Sequence, residues 1–366
     1  MNKSIPYNKK LRFIKAYVPG KSANNLKLNS PIIKLSSNES CLDFSDSTLK
    51  KINKIKIKLS KYPDSKANLL REKIAKVYKI NSKNIIFGNG SDELFFLISN
   101  AFLSEGLEGL YSKYGFLIYP LAIKAAGAKA VFAEEKNYKA NIKNILKKAN
   151  KNTRVCFIAN PNNPTGTYLT IQEIKILREG LPSKCLLVID SAYSEYVTKK
   201  DYCDTISLAK KRNDIVVTHT FSKIFALSSV RLGWAYCPPE ISDILEKIRP
   251  AFNINSYAQA LGNIVLDDKS FLRKSILHNN FWKSWLSEEF AKLKLKVIPS
   301  QANFITIIFK KKISANKFVQ ALEKNNIFVR KLSAYKMFNC VRITIGTEAQ
   351  NRKLINTSKS ILKDIL

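Results

Sequence analysis

Acidic side chains are scarce in this sequence. Its 366 residues hold 28 Asp and Glu against 62 Lys and Arg, a formal net charge of +34. Histidine is scarcer still, with His219 and His278 alone, which argues against a histidine-built metal site. The six cysteines stand singly, with no Cys-x-x-Cys pair. Reduced thiols in a cytoplasm fit that spacing better than a disulfide framework does. No run approaches the roughly 20 apolar residues of a membrane helix. The opening Met1-Asn2-Lys3-Ser4-Ile5-Pro6 lacks an apolar core and a cleavage signal, so secretion is not expected. Internal repeats and low-complexity linkers are also missing.

The positive excess raises one class of reading, a polyanion-binding or membrane-surface protein. The lysines, however, are spread over the whole chain, and arginine is a small minority of the basic set. No nucleic-acid module is recognisable. A drift toward Lys, Asn and Ile, as an AT-rich coding sequence would give, accounts for the charge. Weak, salt-sensitive adhesion to polyanions is expected, and no specific nucleic-acid or membrane partner. The fragment Gly20-Lys21-Ser22 imitates the end of a phosphate-binding loop. It is rejected because Lys15 stands where the first glycine belongs and no strand leads in.

From about residue 50 to 250, apolar runs alternate with helical stretches, the signature of a mostly parallel α/β sheet. Candidate strands are 85–87, 130–133, 155–159, 186–189, 215–218 and 233–236; a long helical region then precedes strands 304–309 and 341–345. Three runs end in residues with chemical potential. The first leads through Thr218-His219-Thr220-Phe221-Ser222-Lys223, with Arg231 eight residues on. An ammonium group at a buried strand end loses hydration, so its pKa falls and the amine becomes nucleophilic, as a Schiff-base lysine requires. Ser222 and Arg231 beside it offer a hydroxyl and a guanidinium to a phosphate. The second run leads into Asn160-Pro161-Asn162-Asn163-Pro164-Thr165-Gly166, a stiff turn in which Asn163-Pro164 is a candidate cis bond. The third ends at Asp190, followed by Tyr193; a carboxylate there can pair with a cationic ring nitrogen. Each taken alone has a plainer role: a structural lysine, a surface turn, a helix cap. Jointly they place three polar groups beyond the carboxyl ends of strands, where open α/β sheets bind ligands.

This joint pattern resembles the fold-type-I aminotransferases that use pyridoxal 5'-phosphate. The fold the resemblance implies is a large domain with a mostly parallel seven-stranded sheet between helices, plus a smaller α+β domain. It also implies that Lys223 carries the cofactor as a Schiff base and that Asp190 pairs with its pyridinium nitrogen. Asn163 and Tyr193 would contact the ring oxygen, and Ser222 and Arg231 the phosphate. In Gly88-Asn89-Gly90-Ser91-Asp92-Glu93 the family's phosphate-cradling turn falls at Ser91 and Asp92, at a helix start suited to anions. Tyr114 aligns with the aromatic residue that stacks on the pyridine ring. Tyr62 matches a tyrosine that reaches the neighbouring subunit's cofactor.

Within that group the sequence is most similar to the histidinol-phosphate aminotransferase family. The supporting stretches begin with Tyr17-Val18-Pro19-Gly20, Leu35-Ser36-Ser37-Asn38-Glu39 and Lys61-Tyr62-Pro63-Asp64, and run to Val341-Arg342-Ile343-Thr344. The resemblance implies a substrate side formed by Tyr17, Asn38, Arg330 and Arg342. The two arginines would hold the phosphate of histidinol phosphate and the α-carboxylate of glutamate. It implies a cytoplasmic homodimer of histidine biosynthesis with an arm at 1–35, a large domain at 36–254 and a small one at 255–366. The chain departs from the family at Ser40-Cys41-Leu42-Asp43-Phe44, Lys113, Ser228-Ser229-Val230 and Lys336-Met337-Phe338-Asn339-Cys340. Several of these lie near the substrate entrance, which keeps open an aromatic amino-acid or other small-substrate aminotransferase on the same scaffold.

Overall fold

The computed structural model describes Ile14, Ala16, Tyr17, 31–202 and 205–363. Most of the expected N-terminal arm, the Gly20-Lys21-Ser22 fragment and Cys203 lie outside the described residues. Strand β1 (Ile33–Leu35) comes first. It is followed by β2 (Ile85–Asn89), β3 (Glu108–Ser112), β4 (Lys129–Ala133), β5 (Thr153–Ala159), β6 (Leu186–Asp190), β7 (Ile215–Thr220) and β8 (Leu232–Tyr236). The seven strands β2 to β8 form one sheet in the order β2-β8-β7-β6-β5-β3-β4. Strands β3 to β7 are parallel to one another, and β8 is antiparallel to both its neighbours.

Strands β6 and β7 are buried at every position, as a sheet covered on both faces requires. The period of two sorts their side chains between layers. Leu187, Ile189, Ile215 and Val217 pack with helices Asn68–Tyr78 and Ile171–Gly180. Leu186, Val188 and Val216 pack on the other side with helices Ser91–Phe102 and Ile118–Ala125. The parallel-sheet reading of the sequence holds, and the six apolar runs are strands. Strand β3 was not expected, because Glu108 and Gly109 interrupt its apolar pattern. Its structure explains both residues. Glu108 accepts from Lys129 Nζ at 2.9 Å and Asn150 Nδ2 at 2.7 Å. Gly109 lies where a Cβ would stand 2.5 Å from Ile123.

The second sheet contains β9 (Lys296–Ile298), β10 (Phe304–Ile308), β11 (Ile327–Lys331) and β12 (Cys340–Thr344). Its order is β1-β11-β12-β10-β9, with only the β1–β11 pair parallel. Ile305, Ile307, Val341 and Ile343 face a core shared with helices Lys269–Lys292, Lys312–Lys324 and Glu348–Lys363. The alternate residues Thr306, Arg342 and Thr344 therefore face the larger sheet, and Thr306 Oγ1 donates to the Pro164 carbonyl at 2.6 Å.

Strands β2 and β8 cross at two glycines, Gly88 opposite Gly233. A Cβ on Gly233 would lie 2.5 Å from the Gly90 carbonyl carbon and the Ser91 nitrogen, both fixed backbone. Gly233→Ala is expected to lower stability by about 1–3 kcal/mol, the usual cost of overpacking. Urea unfolding reads this directly, and an unchanged midpoint would contradict the close approach.

Candidate active site

Ala159, Asp190 and Thr218 stand abreast at the carboxyl ends of β5, β6 and β7. The chain leaves β5 through two cis peptide bonds, Asn160-Pro161 and Asn163-Pro164. Asn160 ties this turn down, its amide accepting from Leu169 N at 2.8 Å and donating to Leu169 O at 3.0 Å. Asn163 is thereby held at the cleft, where its Oδ1 accepts from Arg342 Nη1. Asp190 is buried; its Oδ2 accepts from Tyr119 Oη at 2.8 Å and its Oδ1 from Ala192 N at 3.2 Å. Burial raises this carboxyl to about 6, against the lowering effect of those donors.

Lys223 follows β7 by three residues. Its Nζ donates to the Ser37 carbonyl at 3.3 Å and stands 5.8 Å from the Tyr193 ring centroid. Burial, and then the Arg342 guanidinium, bring the amine down to about 8, while Asp92 and Glu39 pull it upward. An appreciable fraction is therefore neutral, and nucleophilic, near neutral pH.

At one end of the cleft, helix Ser91–Phe102 begins after Gly90, whose φ of 79° is in the left-handed region. Gly90 has no side chain to cap the helix, so the first-turn N–H groups point toward the cleft. Arg231 lies against this turn: a Cβ on Gly90 would meet its Nη2 at 2.2 Å. Arg231 Nη1 donates to Ser222 Oγ at 3.2 Å, and Nη2 is 3.9 Å from Asp92 Oδ2. Burial raises the Asp92 carboxyl, and Arg231 opposes that rise.

At the other end, Arg330 and Arg342 are direct cross-strand partners on β11 and β12. Like charges so placed repel each other. Arg342 is buried and bonds only neutral acceptors among the described residues: the Asn163 amide and, at 2.8 Å, the Ser36 carbonyl. Its Nε is buried without a partner, and burial lowers the guanidinium's pKa. Asn38 lies beside it with φ 57°. Asn38 Nδ2 donates to Tyr193 Oη at 2.9 Å, and its backbone N–H donates to Thr344 Oγ1 at 2.9 Å.

Twelve of the fourteen expected site residues line one cavity of about 200 Å³. Tyr62 and Tyr114 do not. Tyr62 is 82% exposed and stacks on Phe252 at 4.5 Å between centroids. Tyr114 stacks on Tyr138 at 6.0 Å. Its backbone is clamped, with N–H to Glu135 and carbonyl from Asn162, and the tight turn closed by Gly115 N to Ser112 O at 2.8 Å brings Phe116 to the cavity instead. The sequence reading also passed over Tyr119. Its signal was slight, one hydroxyl in the apolar stretch Phe116-Leu117-Ile118-Tyr119. Ser36 and Ser37 act through backbone carbonyls, which side-chain identity does not report.

This arrangement on this fold is that of a transaminase. The chain belongs to the family described as "Aminotransferase class I and II", whose model matches residues 30–357. Among its curated relatives is the histidinol-phosphate aminotransferase of Maricaulis maris, 40% identical over 353 residues, which are 96% of this chain and 97% of the relative. The enzyme of the same name from Pelagibacter ubique is 41% identical over 360 residues, 98% of this chain and 99% of the relative. The structure of histidinol-phosphate aminotransferase from Sinorhizobium meliloti in complex with pyridoxal-5'-phosphate superposes with a TM-score of 0.91, at 22% identity and full coverage of both chains. The L-threonine-O-3-phosphate decarboxylase of Porphyromonas gingivalis shares the fold with a TM-score of 0.78, at 21% identity over 91% of this chain and all of that one.

Because Arg342 is the largest charge effect lowering the Lys223 amine, Arg342→Gln should raise that amine above about 8. The pH dependence of Lys223 acylation by a small electrophile, followed by peptide mass mapping, measures it. An unmoved midpoint would show that Arg342 does not act on the amine.

Proposed function

We propose that this chain transfers the amino group of L-histidinol phosphate to 2-oxoglutarate, giving imidazole acetol phosphate and L-glutamate in histidine biosynthesis, with pyridoxal 5'-phosphate as cofactor. The observation that carries the substrate side is the facing pair Arg330 and Arg342 in the same cavity as Lys223. Two guanidiniums on adjacent strands are best relieved by an oxyanion, and each presents a fork that suits phosphate or carboxylate. Both substrates bring one. The relatives' names support the same choice.

The cleft also suits the cofactor along its whole length. The free N–H groups of the Ser91 helix start, with Ser222 and Arg231, would hold its phosphate. Asp190 would pair with the ring nitrogen, and Asn163 and Tyr193 would face the ring oxygen. Phe116, which lines the cavity, would offer its ring to the cofactor's face. When bound, pyridoxal phosphate supplies an electron sink for negative charge developing at the substrate Cα. The protein's own groups do the rest. Lys223 Nζ, partly neutral at working pH, takes the proton from the substrate Cα and returns a proton on the product side. Asp190, ionised above about 6, keeps a positive charge favourable beside it. Arg342 and Arg330 fix the anionic end, so the Cα–H bond is held toward the lysine.

We read 36–254 as the cofactor domain and 255–366 as the small domain, with β1 of the preceding segment joined to the latter's sheet. A cytoplasmic homodimer fits this reading. Leu59, Tyr62 and Leu69 are each more than 80% exposed, an arrangement a second copy would cover, and Tyr62 would then reach the neighbour's site. The five free thiols among the described residues suit a reducing compartment. No helix among the described residues is long and apolar enough to cross a membrane.

Lys223→Ala should abolish turnover and still bind cofactor in equilibrium dialysis; full activity in that variant would sink the scheme. Asp190→Asn should fold normally yet lose about 10²–10³ in kcat, the usual size of a lost electrostatic contact. An unchanged rate removes Asp190 from its role. For the substrate, kcat/KM is expected to favour histidinol phosphate over phenylalanine. The reverse order would move the enzyme to the aromatic amino acids.

A further inference from the structure

Tyr119 is fully buried on helix Ile118–Ala125. Its ring is stacked on Phe157 at 5.1 Å and meets Phe95 and Phe116 edge-on at 5.1 and 5.9 Å. Phenylalanine would fill that aromatic box equally well, so packing does not require the hydroxyl. A buried hydroxyl costs free energy unless it is bonded, and this one is bonded to the carboxylate of Asp190. Burial holds the phenol far above its usual range, so it remains a donor.

The groups acting on Asp190 come from four elements. Tyr119 donates from its helix and Ala192 N–H from the loop after β6. Asp92, on helix Ser91–Phe102, raises the carboxyl, and His219, on β7, lowers it. Tyr193 also lies within its electrostatic reach. Tyr119 is the only side chain among the described residues that donates a hydrogen bond to this carboxylate. Burial favours the neutral acid, and the Tyr119 bond is the largest effect opposing it.

We propose that Tyr119 is a positioning residue for the reaction: its hydroxyl fixes the orientation of Asp190 and keeps that carboxylate ionised toward the cavity. This rests on the reading of Asp190 as the partner of the cofactor's ring nitrogen. Through its edge contact with Phe116 the same ring also braces the aromatic wall of the cleft.

The test uses full-length protein freed of cofactor and labelled with carbon-13 at the aspartate carboxyls. The Asp190 signal is assigned by its loss in Asp190→Asn. In the unsubstituted protein it should titrate near 6. Removing a donor to the charged form disfavours that form, so Tyr119→Phe should move the midpoint up by about one unit. The acid limb of kcat/KM in the loaded enzyme should move the same way. Phe157→Leu loosens the same box but leaves the hydroxyl, and should leave the midpoint in place. An unmoved midpoint in Tyr119→Phe, or equal shifts in both variants, would overturn the proposal. Because the titration needs no cofactor or substrate, it is decided separately from the transaminase reading, which fails only if the loaded wild-type enzyme does not transaminate.

Discussion

The amine of Lys223 is kept short of water and short of counter-charge, and the surrounding structure is arranged around that condition. Among the described residues its one hydrogen-bond acceptor is the Ser37 carbonyl, and Arg342 is the strongest charge acting on it. A lysine with a close carboxylate partner would stay charged and inert. Here Asp92, the strongest acidic influence, is itself engaged by Arg231. The balance leaves the amine at about 8, low enough for a nucleophile and high enough to return a proton.

Such a balance requires that charges of both signs stay fixed at opposite ends of a narrow cleft. The parallel strands β5, β6 and β7 supply one wall, because Ala159, Asp190 and Thr218 stand abreast where the first two strands end. Strand β12 supplies the other, its alternation sending Ile343 to the core and Arg342 to the cleft. Thr306 Oγ1 on Pro164 O, and Asn38 Nδ2 on Tyr193 Oη, stitch the walls together by side-chain bonds rather than by a shared sheet. Glycine works at the tightest point, where β8 passes beneath the helix start at Gly90 and Ser91.

Much of this was legible in the sequence for a physical reason. Strands buried on both faces are continuous apolar runs, so the ends of β5, β6 and β7, and the polar residues placed there, stand out. Strand β3 was missed because a paired glutamate and a packing glycine break its pattern. Strand β11 was missed as a strand even though Arg330 was singled out within it. Tyr114 and Phe116 are both aromatic and two residues apart, and Phe116 is the one that lines the cavity. A turn closed by Gly115 decides which of them reaches the cleft, and turn geometry of that kind is set by backbone bonds to Glu135 and Asn162 that sequence does not display. Tyr119 was invisible for a related reason: a hydroxyl in an apolar run announces nothing until its partner at the end of β6, Asp190, is in view.

The most direct measurement is the visible absorption spectrum of the purified protein with pyridoxal phosphate, before and after addition of L-histidinol phosphate in the absence of any keto acid. The account predicts a coloured, lysine-bound cofactor whose band converts stoichiometrically to that of the aminated cofactor. A protein that stays colourless with the cofactor would contradict the role of Lys223. A coloured one that ignores histidinol phosphate but responds to phenylalanine would contradict the assignment of Arg330 and Arg342 to its phosphate.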